Sequence, residues 1–329
     1  MNRPHISIIT IVAILVGAIL AGPGRAGTIN WDGDNSVGNL SYDNNWYGNS
    51  DPDSFGGWVY GNDLQFNLNN GGASSLYYDY GTWHSINSIS YEGTFPSALT
   101  LNGDGNGLNF NTKIENNSSH AQTLNIPTSG AKNGAGTIQL NPVSNDLTIA
   151  STVFNDNNKY YEVYGDNGNS LIVSGTLSRD GGDVGLTLQA NSTVVISNAQ
   201  SALNDDFYIN EGTLRLAVDS AIPNVPYIRL QALNGSAYVN LDGGQGAANG
   251  IITSSDNSTT KMLANMPSTS GTATYSGNMY LDSPLTLYAN SGGTVALTGT
   301  TLDLKNQTLT VDGAGTSTIS GTLQQSTGS

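Results

Sequence analysis

Cysteine is absent from the 329-residue chain, which excludes disulfides, thiolate metal sites and cysteine nucleophiles together. Charged residues make up only 11%, against about a quarter in a typical soluble domain. After the first 26 residues no apolar run is long enough to cross a bilayer, a span needing roughly 20 residues. No segment sustains a 3.6-residue period with caps, so helix should be scarce. Also missing are the Gly-Lys-Ser/Thr phosphate loop, the Gly-x-Ser-x-Gly elbow, the His-Glu-x-x-His helix and a basic aromatic patch. Residues 1–329 therefore offer no catalytic motif, no metal site and no cofactor signature. Low charge with 37% hydrophobic residues is nonetheless unlike a disordered chain, which combines high net charge with few apolar groups. The chain should fold, and its stability must come from packing.

What is present begins with an export signal. Arg3 supplies the positive start, residues 6–20 the apolar run, and Gly24, Arg25 and Ala26 a small-x-small cleavage site before Gly27. Cleavage after residue 26 is expected, with the mature protein extracellular or on the cell surface and without a membrane span. The formal charge of -15 disfavours nucleic acid and anionic lipid as partners.

Two compositional zones follow. Residues 27–96 hold all four tryptophans (Trp31, Trp46, Trp58 and Trp83) with many tyrosines, and read as an aromatic-rich N-terminal cap. Residues 97–329 are dominated by Leu, Ile, Val, Thr, Asn and Gly. Here short apolar-polar-apolar triplets recur about every seven to fifteen residues, from Leu99/Leu101 through Leu214/Leu216 and Val295/Leu297 to Leu309/Val311. Period-2 alternation is the strand signature. Between the triplets lie Gly, Asn and Asp clusters suited to tight turns, such as Gly165, Asp166, Asn167, Gly168 and Asn169.

A phrase, Gly-Thr-Leu-x-Leu, binds these observations together. It stands at Gly212-Thr213-Leu214-Arg215-Leu216, with relatives at Gly136, Gly185, Gly293 and Gly321. Repetition over more than 200 residues favours a solenoid over a sandwich, with rungs of roughly 20 to 25 residues. The expected fold is all-β, a right-handed parallel β-helix. Leu214 and Leu216 point into the coil, Thr213 and Arg215 point out, and outward Thr and Asn form ladders along the axis.

Residues 209–217, followed by Ser220, Ala221, Ile222 and Pro223, resemble the repeat of bacterial secreted proteins that carry autotransporter-associated β-strand repeats. Trp31-Asp32-Gly33, Asn45-Trp46 and Asn62-Asp63-Leu64-Gln65-Phe66 are similar to the opening of such proteins. That resemblance implies a passenger or stalk for adhesion and surface display, without enzymatic activity. Proteins of this kind are often longer and end in a membrane barrel or sorting segment, so a continuation past Ser329 is expected.

Three candidate chemistries compete with that reading. A polysaccharide-degrading β-helix enzyme needs paired carboxylates, and Asp205 with Asp206 is the nearest offering; the plainer reading is a solvated turn. Beyond the signal, histidine occurs only as His84 and His120, each without a catalytic-looking neighbourhood. Calcium has an imitation loop at Asn102, Asp104 and Asn106, but its twelfth position is Lys113 instead of Glu. Asp32 with Asp34, and residues 180–183, are equally short of ligands. Finally, Trp31, Trp46, Trp58 and Trp83 either stack on an extracellular glycan or plug the first rung of the rod. A surface glycan or protein is the expected partner.

Overall fold

The computed structural model describes residues 28–31, 40, 62–67, 74–103, 105–130, 137–155, 160–165, 168–179, 185–233, 235–254, 259–265 and 270–326. Within them the chain forms strands, turns and bends, with no helix. The strands collect into four sheets of 13, 11, 5 and 4 strands, paired in parallel throughout. The result is a parallel β-solenoid. The expected signal segment lies outside the described residues.

The alternation read from sequence sets which side chains face inward. Along Gly212–Leu216, Gly212, Leu214 and Leu216 are buried while Thr213 and Arg215 are partly exposed. Gly212 takes a φ of 100°, a conformation that glycine adopts without a Cβ penalty. Every triplet pair from Leu99/Leu101 to Val295/Leu297 is buried. In the last described rung, by contrast, Val311 and Leu323 are 57% exposed. The core is a single cluster running from Ile29 to Leu302.

Rung length follows from the register of stacked partners. Asp63 and Ser88 are 25 positions apart, Leu99 and Gln122 23, and Arg215 and Asn240 again 25. The 13-stranded long sheet runs from Thr28–Trp31 to Thr322–Gln324, and the 11-stranded companion sheet from Ser75–Tyr78 to Leu309–Asp312. A third wall appears twice, as the 5-stranded sheet between His84–Ser85 and Thr176–Arg179 and as the 4-stranded sheet between Gly246–Ala247 and Thr316–Ile319. The shift in composition near Pro96 leaves no mark on strand pairing: Leu64 stacks on Ile89 and Ile89 on Ile114.

Where the third wall stops, buried amides take over from strands. Thr176–Arg179 ends its sheet, and Gln200 Oε1 accepts the Leu177 N–H at 2.8 Å while Gln200 Nε2 donates to the Gly175 and Asn198 carbonyls. Asn249 Nδ2 donates likewise to Ile222 O. A buried backbone group without a partner costs roughly 1–3 kcal/mol, so these side chains let the wall be interrupted cheaply. Outward ladders form as expected, Asn125 Nδ2 donating to Asn102 Oδ1 at 2.8 Å.

Buried tyrosines pin one wall to another. The Tyr161 hydroxyl lies 2.7 Å from both Val153 O and Ser178 O. That of Tyr275 shares its proton between Val239 O and Ala264 O, at 2.9 and 2.8 Å. Burial pushes the hydroxyls of Tyr91 and Tyr275 well above their ordinary value of 10.0. The folded chain then keeps protons that the unfolded chain releases above about pH 10. Stability is therefore full below that pH and falls as pH rises past it, by about 1.4 kcal/mol per unit for each such tyrosine. Urea titrations at increasing alkaline pH should show this decline. In Tyr275→Phe the slope should be shallower by one proton, and an unchanged slope would contradict the assignment.

Candidate functional site

The long sheet carries the densest outward chemistry. One outward column reads Glu162, Thr187, Tyr208, Arg229, Ile252 and Tyr280, each stacked on the next. Alternation explains it: in Tyr227–Leu230, Ile228 and Leu230 go inward, leaving Tyr227 and Arg229 outside. The Arg229 guanidinium stands 5.8 Å from the Tyr208 ring centre and 5.7 Å from that of Tyr227, within the range of cation–π attraction. Tyr160 meets Tyr208 edge to face at 5.7 Å.

Asp205 and Asp206 lie at the lip of this strip. The Tyr160 hydroxyl donates to Asp205 Oδ2 at 2.8 Å across 45 positions of sequence. Gly185 makes that reach possible, since a Cβ there would stand 2.7 Å from the Tyr160 ring. Asp205 Oδ1 accepts the Asp206 backbone N–H at 2.7 Å. Asp206 itself is 7% exposed and ion-paired with Arg229 Nε at 2.5 Å. Asp206 thus departs from the solvated turn expected from the sequence, whereas Asp205 is part-exposed at a bend; each carboxylate has a partner that only the register brings near. Hydrogen bonding to Asp205 pushes the Tyr160 hydroxyl up. Burial pulls Arg229 down, but the Asp206 carboxylate together with Tyr208 leaves the guanidinium above its ordinary value.

These contacts predict a contrast between two adjacent residues. Asp206→Asn removes the charge facing Arg229 and should lower stability by about 1 kcal/mol, the pair being partly exposed. Asp205→Asn keeps an oxygen acceptor for the Asp206 N–H and turns its amide N–H toward the Tyr160 hydroxyl oxygen, which can accept, and should change it by less than about 0.5 kcal/mol. Urea melts of the two variants check this. Equal effects would show that the two carboxylates are interchangeable.

Beyond Arg229 the strip opens into a hollow of about 260 Å³, lined by Arg229, Gln231, Ile252, Thr253, Ser254 and Asp282. Lys305 Nζ donates to Asp282 Oδ1 at 3.0 Å. Ser254 Oγ donates to the Gln231 carbonyl at 2.5 Å.

The other candidates from sequence scatter. Trp31 is wholly buried, with its ring 6.3 Å from that of Phe66. Trp83 is 37% exposed, whereas Trp46 and Trp58 lie outside the described residues. His84 Nδ1 is 2.6 Å from the Tyr78 hydroxyl, and the His84 ring packs edge-on against Tyr80. His120 Nδ1 is 3.1 Å from Ser119 Oγ. Asn102 spends its amide on Ser75 and Asn125, and Lys113 pairs with Glu115 at 2.6 Å. Asp32, Asp34, Asp104 and residues 180–183 lie outside the described residues. Among the described residues no group of three His, Asp or Glu is placed to hold a metal ion, and no helix is long and apolar enough to cross a membrane.

No family model matches the chain, and neither does any curated protein or solved structure.

Proposed function

We propose that the chain is an exported structural or adhesive component of the cell surface, a β-solenoid stalk that works by extension and not by catalysis. The observation that supports this reading most is the unbroken stacking of strand on strand through the long sheet. Neighbouring rungs are further tied by side-chain pairs such as Arg215 with Asp242, whose two hydrogen bonds are both 2.8 Å. A bidentate pair resists sliding and twisting as well as separation. The export signal read at residues 1–26 and the resemblance of residues 209–223 to passenger repeats point the same way.

Two measurements test the two halves of the proposal. Spin labels on Thr100→Cys and Thr310→Cys sit nine strand steps apart on the companion sheet, which at about 4.8 Å per step is roughly 43 Å. Pulsed electron resonance should find that separation, and a much shorter one would end the stalk reading. In producing cells the mature N-terminus should be Gly27, and the protein should react with a surface label on intact cells. Retention inside the cell would overturn the proposed location.

A further inference from the structure

We infer that the hollow over Ile252 binds an uncharged sugar ring, so that the outer face of the long sheet is a glycan-binding surface. This rests on the adhesive half of the proposed function and gives it a ligand class. The argument begins with shape. Arg229 and Ile252 are successive outward residues of one column, and Gln231, Ser254 and Asp282, each just past the end of one of three successive strands, stand round the short Ile252 side chain. The space left, about 260 Å³, falls just below the usual range of small-molecule sites. It equals roughly nine waters of liquid volume, the scale of one sugar ring.

The chemistry of the lining selects the ligand further. Ile252 provides an apolar floor for the C–H face of a ring. Around it stand the Gln231 amide, the Ser254 hydroxyl and the Asp282 carboxylate, a mixture of donors and acceptors suited to hydroxyl groups. The charges at the rim are already matched, Arg229 by Asp206 and Asp282 by Lys305. An ionic ligand would have to compete with those pairs, and an anion would also meet a chain of formal charge -15. A neutral polyhydroxylated ligand meets neither obstacle. The tyrosines flanking Arg229 extend the surface along the axis: Tyr227 lies over Gly250, where a Cβ would stand 2.5 Å from its ring, and Tyr208 stacks one rung further. Aromatic side chains combine an apolar face with a polar tip, which suits the next units of a polymer.

The purified full chain would be titrated, by calorimetry and saturation-transfer NMR, with neutral oligosaccharides of glucose, galactose, mannose, xylose and N-acetylglucosamine, and with oligogalacturonate as the charged comparison. At least one neutral oligosaccharide should bind, and more tightly than oligogalacturonate. Ile252→Trp, which fills the hollow from the outside, should weaken binding by more than about tenfold. Gln231→Ala should weaken it by about three- to tenfold, the loss of one or two uncharged hydrogen bonds. Thr148→Trp, an outward position on the companion sheet, should leave it unchanged. No binding of any neutral oligosaccharide overturns the inference, as does binding that survives both Ile252→Trp and Gln231→Ala, or preference for the uronate. Gln231→Ala keeps the test decisive if Ile252→Trp does not fold. The label separation between Thr100 and Thr310 is read independently, so failure of glycan binding and failure of the stalk are distinguishable.

Discussion

Leu214→Asp should abolish cooperative folding of the central rungs, seen as loss of the β signal in circular dichroism and of a defined urea transition. Leu214 is wholly buried and stacked between Val194 and Val239. Truncation of such a leucine to alanine already costs about 2–5 kcal/mol. A carboxylate there must in addition be buried without a partner or force its rung open. The combined cost rivals the whole stability of an ordinary domain, about 5–15 kcal/mol. Position sharpens the effect, because each rung of a solenoid touches only its neighbours and a broken central rung disconnects the two halves. Thr213→Asp, one residue earlier and outward, should change stability by less than about 0.5 kcal/mol. If both variants unfolded alike, the inward-outward assignment of the phrase would be wrong.

Gly299→Val is expected to be nearly as damaging, for a different reason. Gly277, Gly299 and Gly321 form a column at one corner. A Cβ on Gly277 would run into Asn249 O, one on Gly299 into Gly277 O, and one on Gly321 into Gly299 O, each well inside 3.0 Å. None of the three has a positive φ, so it is close approach of backbone to backbone that excludes a side chain, not an unusual backbone conformation. The obstacle is main chain held by the ladder on both sides; Thr298 N–H and Ser320 N–H donate to Tyr275 O and Leu297 O. Relief therefore means separating rungs. A loss above about 3 kcal/mol is expected, in the range reached by overpacking a rigid site. Gly93→Ala provides the comparison, since its nearest contact would be Asn117 O at 3.6 Å. That change should be neutral or raise stability by up to about 1 kcal/mol by restricting the unfolded chain. Thermal melts of the two variants decide the matter, and a tolerated Gly299→Val would mean that the corner is loose.

How far the structure was legible depends on whether the signal is local. Alternation is local, so Leu214 and Leu216, and every aliphatic pair from Leu99/Leu101 to Val295/Leu297, could be assigned to the core from the chain alone. Three pairs with an aromatic partner carry no such signal, although Leu108/Phe110 does: Tyr161 with Val163, Phe207 with Ile209 and Ala273 with Tyr275 are buried in the same manner. A buried tyrosine looks polar until the two carbonyls that its hydroxyl bridges are known. The wall to which a strand belongs is not written locally at all. Gly212–Leu216 lies in the companion sheet, while Gly293–Leu297, almost the same phrase, lies in the third wall. Alternation sets which side faces in, but the corner geometry sets the wall.

The candidate site was harder still. Tyr160 with Asp205, and Arg229 with Asp206, are separated by 45 and 23 positions, and neither pairing can be inferred without the register. Ile252 gave no signal either, since an isolated outward isoleucine resembles any other strand residue. The tryptophans that composition singled out include one in the core, Trp31, and one part-exposed, Trp83. Their clustering in sequence thus said little about a common surface. The glycine column gave no signal of its own, Gly321 standing out only as the start of a Gly-Thr-Leu phrase, because glycine serves turns and close backbone approach alike.

Register is the claim on which the rest depends, and a chain without cysteine allows it to be measured cleanly. Thr213 and Tyr238 are stacked partners one rung apart, and Met262 follows Tyr238 one rung further on. Neighbouring strands place Cα atoms about 4.8 Å apart, inside the range a disulfide bridges. Oxidation of Thr213→Cys/Tyr238→Cys should therefore give a disulfide in high yield, whereas Thr213→Cys/Met262→Cys, about twice as far apart, should stay reduced. Bridging of the second pair in preference to the first would show that these strands do not lie one above another along a single axis.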